Sequence, residues 1–273
     1  MRKWFTLTFM VTALVPLMGS GSRPAVSRTG GAGEWERPGT FSVLGYDPAT
    51  GEIGAAVQSR VFSAGNGVIW AEAGVGAVAT QAIVDVSYGP KGLELLRQGM
   101  APKDIIKKIW DDDPDPRPAT GDQPNQVNWT KYGRQFAVIN AKGEVAAYTG
   151  PRAPDAFGDA QGKFCTAQGN TLGSKDVPAA MVDGFEKSDK NAAGRPNHIS
   201  LRLVAALEAG QAAGGDRRGQ QSAALIVVKK DGGPWLHNDV VLHLQVDDDP
   251  EPIKELRRLV EMSPPATRRM GGS

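Results

Sequence analysis

The three histidines, His198, His237 and His243, and the single cysteine, Cys165, are where a search for nucleophilic or metal chemistry begins. The histidines lack the spacing of a metal-ligand pair or of a triad, and they read as structural or surface residues, His198 ahead of a helix and His243 inside a strand. One cysteine excludes an internal disulfide and a multi-cysteine metal site. It lies in the strand-like stretch Lys163-Phe164-Cys165-Thr166-Ala167-Gln168, with no histidine nearby in sequence to activate it, and reads as a small buried apolar residue. The acidic runs Asp111-Asp112-Asp113 and Asp247-Asp248-Asp249 lack the spacing of a calcium loop and read as solvated helix and strand ends. The glycine-rich stretches contain neither a phosphate-loop lysine signature nor a dinucleotide fingerprint after a strand, so neither cofactor nor metal is indicated. Gly214-Gly215-Asp216-Arg217-Arg218-Gly219 offers Asp216 and Arg217 as a pair that could orient an amine or bind a carboxylate. The same residues also read as a helix stop followed by a tight turn.

The elements that would position these residues follow from the period of the apolar side chains. Residues 40–47 and 52–59 are strand-like around the turn Pro48-Ala49-Thr50-Gly51, which predicts a hairpin. Strands are expected over 68–72 and 75–81, and then the period lengthens: Leu93, Leu96, Ile105, Ile106, Ile109 and Trp110 recur at helical spacing across a break near Gly99 to Pro102. Residues 111–133 are rich in Asp, Pro, Asn and Gln and read as a long surface loop that includes the sequon Asn128-Trp129-Thr130. A second hairpin (135–140 and 144–149), a Gly/Pro loop and a strand over 163–168 follow. Helices are predicted over 177–187 and 199–211, strands over 222–228 and 239–246, and a last helix from Pro252. Strands and helices in blocks, rather than in strict alternation, predict an α+β protein with mostly antiparallel sheets covered by helices on their outer faces.

Composition narrows the classes of partner. Thirty-one basic residues against 30 acidic ones leave no field to attract nucleic acid, and 273 residues with 40% hydrophobic content suffice for one sizeable core. Arg2 and Lys3 precede an uncharged, mostly apolar run over residues 4–18, closed by Gly19, Ser20, Gly21 and Ser22. The run is shorter than the roughly 20 residues a spanning helix needs and has the form of a signal peptide. The expected organisation is a signal peptide over 1–21, a Gly/Ser/Arg/Pro-rich disordered leader over 22–39, one domain over 40–262 and a disordered tail over 263–273. That organisation implies a periplasmic or secreted protein without stable membrane insertion.

Several stretches, in order, resemble one family. They are Thr40-Phe41-Ser42-Val43 with Asp47-Pro48 and Thr50-Gly51-Glu52; Gly74-Val75-Gly76-Ala77-Val78-Ala79-Thr80-Gln81-Ala82; Ser87-Tyr88-Gly89-Pro90; Gln168-Gly169-Asn170; and the glycine-rich stretch from Gly214 to Gly219, followed by Ser222-Ala223-Ala224-Leu225. Together they are similar to the family called domain of unknown function 1028. The resemblance implies a four-layer αββα sandwich like that of the N-terminal-nucleophile hydrolases, which cleave amide bonds, and it implies no substrate. Two features depart from the pattern: the 111–133 loop is long, and Arg60 stands where a lysine is expected, keeping the charge without a tunable amine.

In that superfamily the first residue of the mature chain supplies the nucleophile and its α-amine the base, which would make Thr40 catalytic after a cut following Gly39. Signal peptidase is a poor agent for that cut, with Arg37 and Pro38 before it, whereas Gly39-Thr40 resembles a self-cleaved junction. Thr40 also reads simply as the β-branched start of a strand. Gln81 and Asn170 could supply oxyanion donors, or merely strand-end hydrogen bonds. The expected function is an exported amidohydrolase or peptidase acting on a small amide or peptide. The alternative is a non-catalytic envelope protein of the same fold that binds peptide or glycan. The sequence leaves self-association open.

Overall fold

The computed structural model describes residues 39–114, 130–154 and 156–265. The expected signal peptide, the leader as far as Pro38, Asn128 and Trp129 of the sequon, most of the long loop and the tail beyond residue 265 lie outside these residues.

The first hairpin forms as its sequence predicts. Strands β1 (Thr40–Asp47) and β2 (Glu52–Ser59) pair antiparallel from Thr40 opposite Ser59 to Asp47 opposite Glu52. The turn between them closes because Asp47 Oδ1 accepts the Ala49 N–H at 2.9 Å, and Gly51 takes the left-handed φ of 74° that a side chain would disfavour. β3 (Ile69–Glu72), β4 (Gly76–Ala82), β5 (Arg134–Asn140) and β6 (Val145–Thr149) form a four-stranded antiparallel sheet in that order. The second sheet runs β10-β9-β2-β1-β8-β7, with β7 at Gly158–Gly162, β8 at Cys165–Asn170, β9 at Ser222–Val228 and β10 at Val240–Val246. β1 therefore lies inside its sheet, between β2 and β8.

Strand periodicity divides the core. Along β1, Phe41 and Val43 point into a cluster with Met181, Phe185, Leu203 and Leu207, contributed by α4 (Val177–Lys187) and α5 (Ile199–Ala212). Leu44 points the other way, into a cluster with Ala79 of β4 and Ile139 of β5 that joins the two sheets. A third cluster sets Tyr88, Leu93 and Leu96 of α2 (Tyr88–Arg97) and Ile105 and Ile109 of α3 (Pro102–Asp111) against Phe136 and Val138 of β5. The fold is thus α+β, two antiparallel sheets packed face to face with helices outside, and α6 (Pro252–Met262) completes the cover over β9 and β10. Each fully buried Phe or Leu contributes roughly 1.5–3 kcal/mol by leaving water. Among the described residues no helix is long and apolar enough to cross a membrane.

Four readings of the sequence change. β7 occupies part of the expected Gly/Pro loop; its sequence, GDAQG, has no apolar alternation, and it is ordered by pairing with β8 at the sheet edge. β8 begins two residues later than predicted because Phe164, with φ of 63°, belongs to the tight turn between them. One turn of helix, α1 (Gly65–Val68), was not legible. Asp113 is not a solvated helix end: its carboxylate is buried, accepts from Arg134 Nε at 3.2 Å and takes the Tyr88 hydroxyl.

Candidate active site

The start of β1 is a polar island in an apolar sandwich. Thr40, Ser42 and Leu44 share the face of β1 that meets the other sheet, and where Leu44 finds hydrocarbon, Ser42 finds carboxamides. Ser42 Oγ donates to Gln81 Oε1 at 2.6 Å and accepts from Gln168 Nε2 at 2.5 Å. Gln81 Nε2 donates to Gln135 Oε1 at 2.8 Å and reaches the Thr40 carbonyl at 3.3 Å. Asn170 Nδ2 donates to the same two acceptors, at 3.0 Å to Gln135 and 3.4 Å to Thr40. Gln135 closes the set by donating to Thr149 and to the Gly158 and Gly169 carbonyls. Buried polar groups left without partners would each cost about 1–3 kcal/mol, so a network this closely linked fixes its members tightly. Two acceptors stay unpartnered in it, Gln168 Oε1 and Asn170 Oδ1.

The register of β1 sets the second half of the site. Thr40 lies opposite Ser59 on one side and Asn170 on the other. Ser59 Oγ donates to the Gly39 carbonyl at 2.5 Å and lies 3.0 Å from Thr40 Oγ1. Because the one Ser59 hydroxyl proton is committed to a carbonyl, Thr40 must be the donor in the pair, which gives a directed chain from the Thr40 hydroxyl through Ser59 to the Gly39 oxygen. A second donor converges on that oxygen: Arg218 Nη2, at 2.7 Å. Arg218 is aimed by Asp216, whose carboxylate accepts from Arg218 Nε at 3.0 Å, Nη2 at 2.6 Å and the backbone N–H at 2.9 Å. The Asp216 side chain is wholly buried, and that of Arg218 is 15% exposed.

The loop that carries this pair is tied down locally. Asp216 bridges to Leu172 beyond β8, Gly173 N–H donates to the Gly215 carbonyl at 2.9 Å, and Arg60 Nη1 donates to the Arg218 carbonyl at 2.5 Å. Arg60, read from sequence as a charge without a tunable amine, thus buttresses the loop.

Thr40, Gln81 and Asn170, singled out from sequence, do come together. Both carboxamides donate to the carbonyl of Thr40 itself, and the donors on the preceding carbonyl are Ser59 and Arg218. In the glycine-rich turn Asp216 pairs with Arg218, and the Arg217 side chain is exposed. Ser59 could have been found by counting back from the Pro48 to Gly51 turn, which places it opposite Thr40. Gln135 and the choice between two adjacent arginines carried no local signal.

His198 serves structure. His198 Nδ1 accepts the Ser200 N–H at 3.2 Å and caps α5, so Nε2 carries the proton and donates to Glu52 at 3.1 Å. Burial pushes the Cys165 thiol up to about 12, the opposite of what activates a nucleophile. His237 and His243 are exposed. Among the described residues no group of His, Cys, Asp or Glu is arranged to hold a metal ion.

Comparison with known proteins agrees with this architecture. The family described as "Family of unknown function (DUF1028)" matches residues 40–256, a region that begins at Thr40. The structure is similar to the crystal structure of protein SPO2555 from Silicibacter pomeroyi, assigned to the same family, with a TM-score of 0.68 and 28% identity over 85% of this chain and 90% of that one. No curated protein matches.

Proposed function

The chain belongs to the DUF1028 family of unknown function, and on that footing we propose that it is an exported amide hydrolase of the N-terminal-nucleophile kind that cuts itself between Gly39 and Thr40. The observation that carries the reading is the Gly39 carbonyl, held at 2.5 Å by Ser59 Oγ and at 2.7 Å by Arg218 Nη2 while the Thr40 hydroxyl is linked to the same oxygen through Ser59. A peptide carbonyl serving only as strand backbone needs no guanidinium aimed at it by a buried carboxylate. The layered α+β architecture is compatible with the same chemistry, and the fold implied by the resemblance to the family supports it.

The self-cut then runs along the hydroxyl chain. Thr40 Oγ1 attacks the Gly39 carbonyl carbon; its proton moves to Ser59 as the Ser59 proton moves to the Gly39 oxygen, and Arg218 stabilises that oxygen as charge develops on it. The C–N bond breaks, the proton returns from the carbinol oxygen to the Thr40 nitrogen, and a glycyl ester on Thr40 Oγ1 remains beside a free α-amine. Water, activated by that amine, whose ordinary pKa is about 8, hydrolyses the ester to a Gly39 carboxylate and regenerates the hydroxyl. Gln81 and Asn170 hold Thr40 through its carbonyl throughout. An amide substrate from solution is then cleaved through the same kind of ester, with the freed α-amine as base. Arg2, Lys3 and the apolar run behind them support export.

Intact mass and N-terminal sequencing of the protein from the periplasmic or secreted fraction of its host test the proposal. The expected product begins at Thr40. Thr40→Ala should leave the chain uncut and without turnover, and Thr40→Ser should keep part of both. Wild-type protein that retains Gly39, together with a Thr40→Ala variant that matches it on a panel of amides and peptides, would replace catalysis with the binding reading. Recovery in the cytoplasm with Met1 in place would remove export.

A further inference from the structure

The surroundings of the Gly39 α-carbon name the acyl half of the substrate. An L side chain at position 39 would place its Cβ 2.7 Å from Arg218 Nη2, 2.8 Å from Arg218 Nε and 2.8 Å from Asp216 Oδ2. Contacts under 3.0 Å force one partner to move, and here neither is at liberty to do so. The Asp216 carboxylate is wholly buried and holds three N–H donors of Arg218. Its backbone is bridged to Leu172, and the Arg218 carbonyl is pinned by Arg60. If Arg218 swung away to make room, the Gly39 oxygen would lose the donor on which the chemistry depends. The pair therefore polarises the carbonyl and at the same time excludes a substituent on the carbon next to it.

We infer that the enzyme cleaves amides whose acyl group has an unsubstituted α-carbon, glycyl amides above all, and that Asp216 and Arg218 set this specificity. The inference rests on the Thr40 reading and extends it. The self-cut leaves a glycyl ester on Thr40 Oγ1, and an external amide R–CO–NH–R′ leaves the ester of its own acyl group on the same oxygen. In the second reaction the C–N bond to R′ breaks, the amine R′–NH2 departs with the proton taken from the Thr40 hydroxyl, and water completes the cycle by releasing the acid. Both esters place their acyl carbon at the same nucleophile and their carbonyl oxygen before the same donors, so the space beside the α-carbon is shared.

Two measurements test it. In the full-length chain, Gly39→Ala should slow the cut on the order of a hundredfold by time-resolved intact mass, with the melting temperature reporting whether the variant is folded. In the cut wild-type protein, kcat/KM for an N-acetylglycyl anilide should exceed that for the N-acetyl-L-alanyl anilide by a similar factor, and Arg218→Lys, which withdraws the fork from the α-carbon, should compress that ratio as it lowers both rates. Equal rates on the two anilides, or equal cutting of Gly39→Ala and wild type, overturn the glycyl specificity and leave Thr40 chemistry intact. A wild-type chain that neither cuts itself nor hydrolyses either anilide overturns both.

Discussion

At the scale of single residues, two neighbours in the glycine-rich turn have opposite weights. Asp216→Ala removes a wholly buried carboxylate together with the three hydrogen bonds by which it holds Arg218, so it should destabilise the fold by about 2–3 kcal/mol, lowering the melting temperature by roughly 5–10 °C in a domain of this size. Arg217→Ala trims an exposed side chain and should stay within about 0.5 kcal/mol. Paired thermal scans check the contrast, and equal effects of the two substitutions would count against the geometry of the loop. From sequence the two residues read as a unit, because adjacent arginines after an aspartate are indistinguishable until the chain direction in the turn is known. Thr40, Gln81 and Asn170 were legible as a set from the motifs that carry them. Ser59 was legible in principle, since the hairpin turn fixes its register. Gln135 was not, because it meets the site only through the packing of one sheet on the other.

At the scale of elements, Asp113 shows what periodicity cannot reveal. It lies two residues beyond the end of α3, in an acidic run that reads as solvated, yet it joins Tyr88 of α2 to Arg134 of β5. Its hydrogen-bonded neighbours are buried, so Asp113→Ala should cost about 3–5 kcal/mol by leaving a guanidinium without its counter-charge. Chemical denaturation measures this, and a loss below about 1 kcal/mol would mean that Arg134 has found another acceptor. The helices α2 to α6 followed from apolar residues at helical spacing, and the two hairpins from strand-like runs on either side of turn residues. β7 did not, since an edge strand of small and polar residues draws its order from the neighbour it pairs with rather than from a pattern of its own.

At the scale of the whole molecule, the buried thiol reports global opening. Cys165 is fully buried and its thiol is raised from an ordinary 9.0 to about 12 by loss of solvation. A native group that resists losing its proton contributes stability that is complete below pH 9 and is lost as the pH climbs toward about 12, so the alkaline limb of the stability curve should fall across that interval. Cys165→Ala should flatten this limb. At neutral pH, alkylation of the native protein should proceed only as fast as the fold opens, and rapid labelling without unfolding would contradict the burial. The sequence placed the cysteine inside a strand, but its depth depends on α4 and α5 closing over that sheet.

The place of β1 inside its sheet bears on what a cut after Gly39 would do to the molecule. New chain ends normally fray, because one free end and one open side let water compete for the last hydrogen bonds. Thr40 is laddered to Ser59 on one side and Asn170 on the other, and Phe41 and Val43 behind it are wholly buried. The terminus created would therefore have the rigidity of a strand interior from its first residue: its amides would exchange with solvent only when the whole sheet opens, and an aminopeptidase would find no loose end to grip. A nucleophile on the very end of a chain, ordinarily its least ordered atom, would then keep its aim without any loop or lid to hold it.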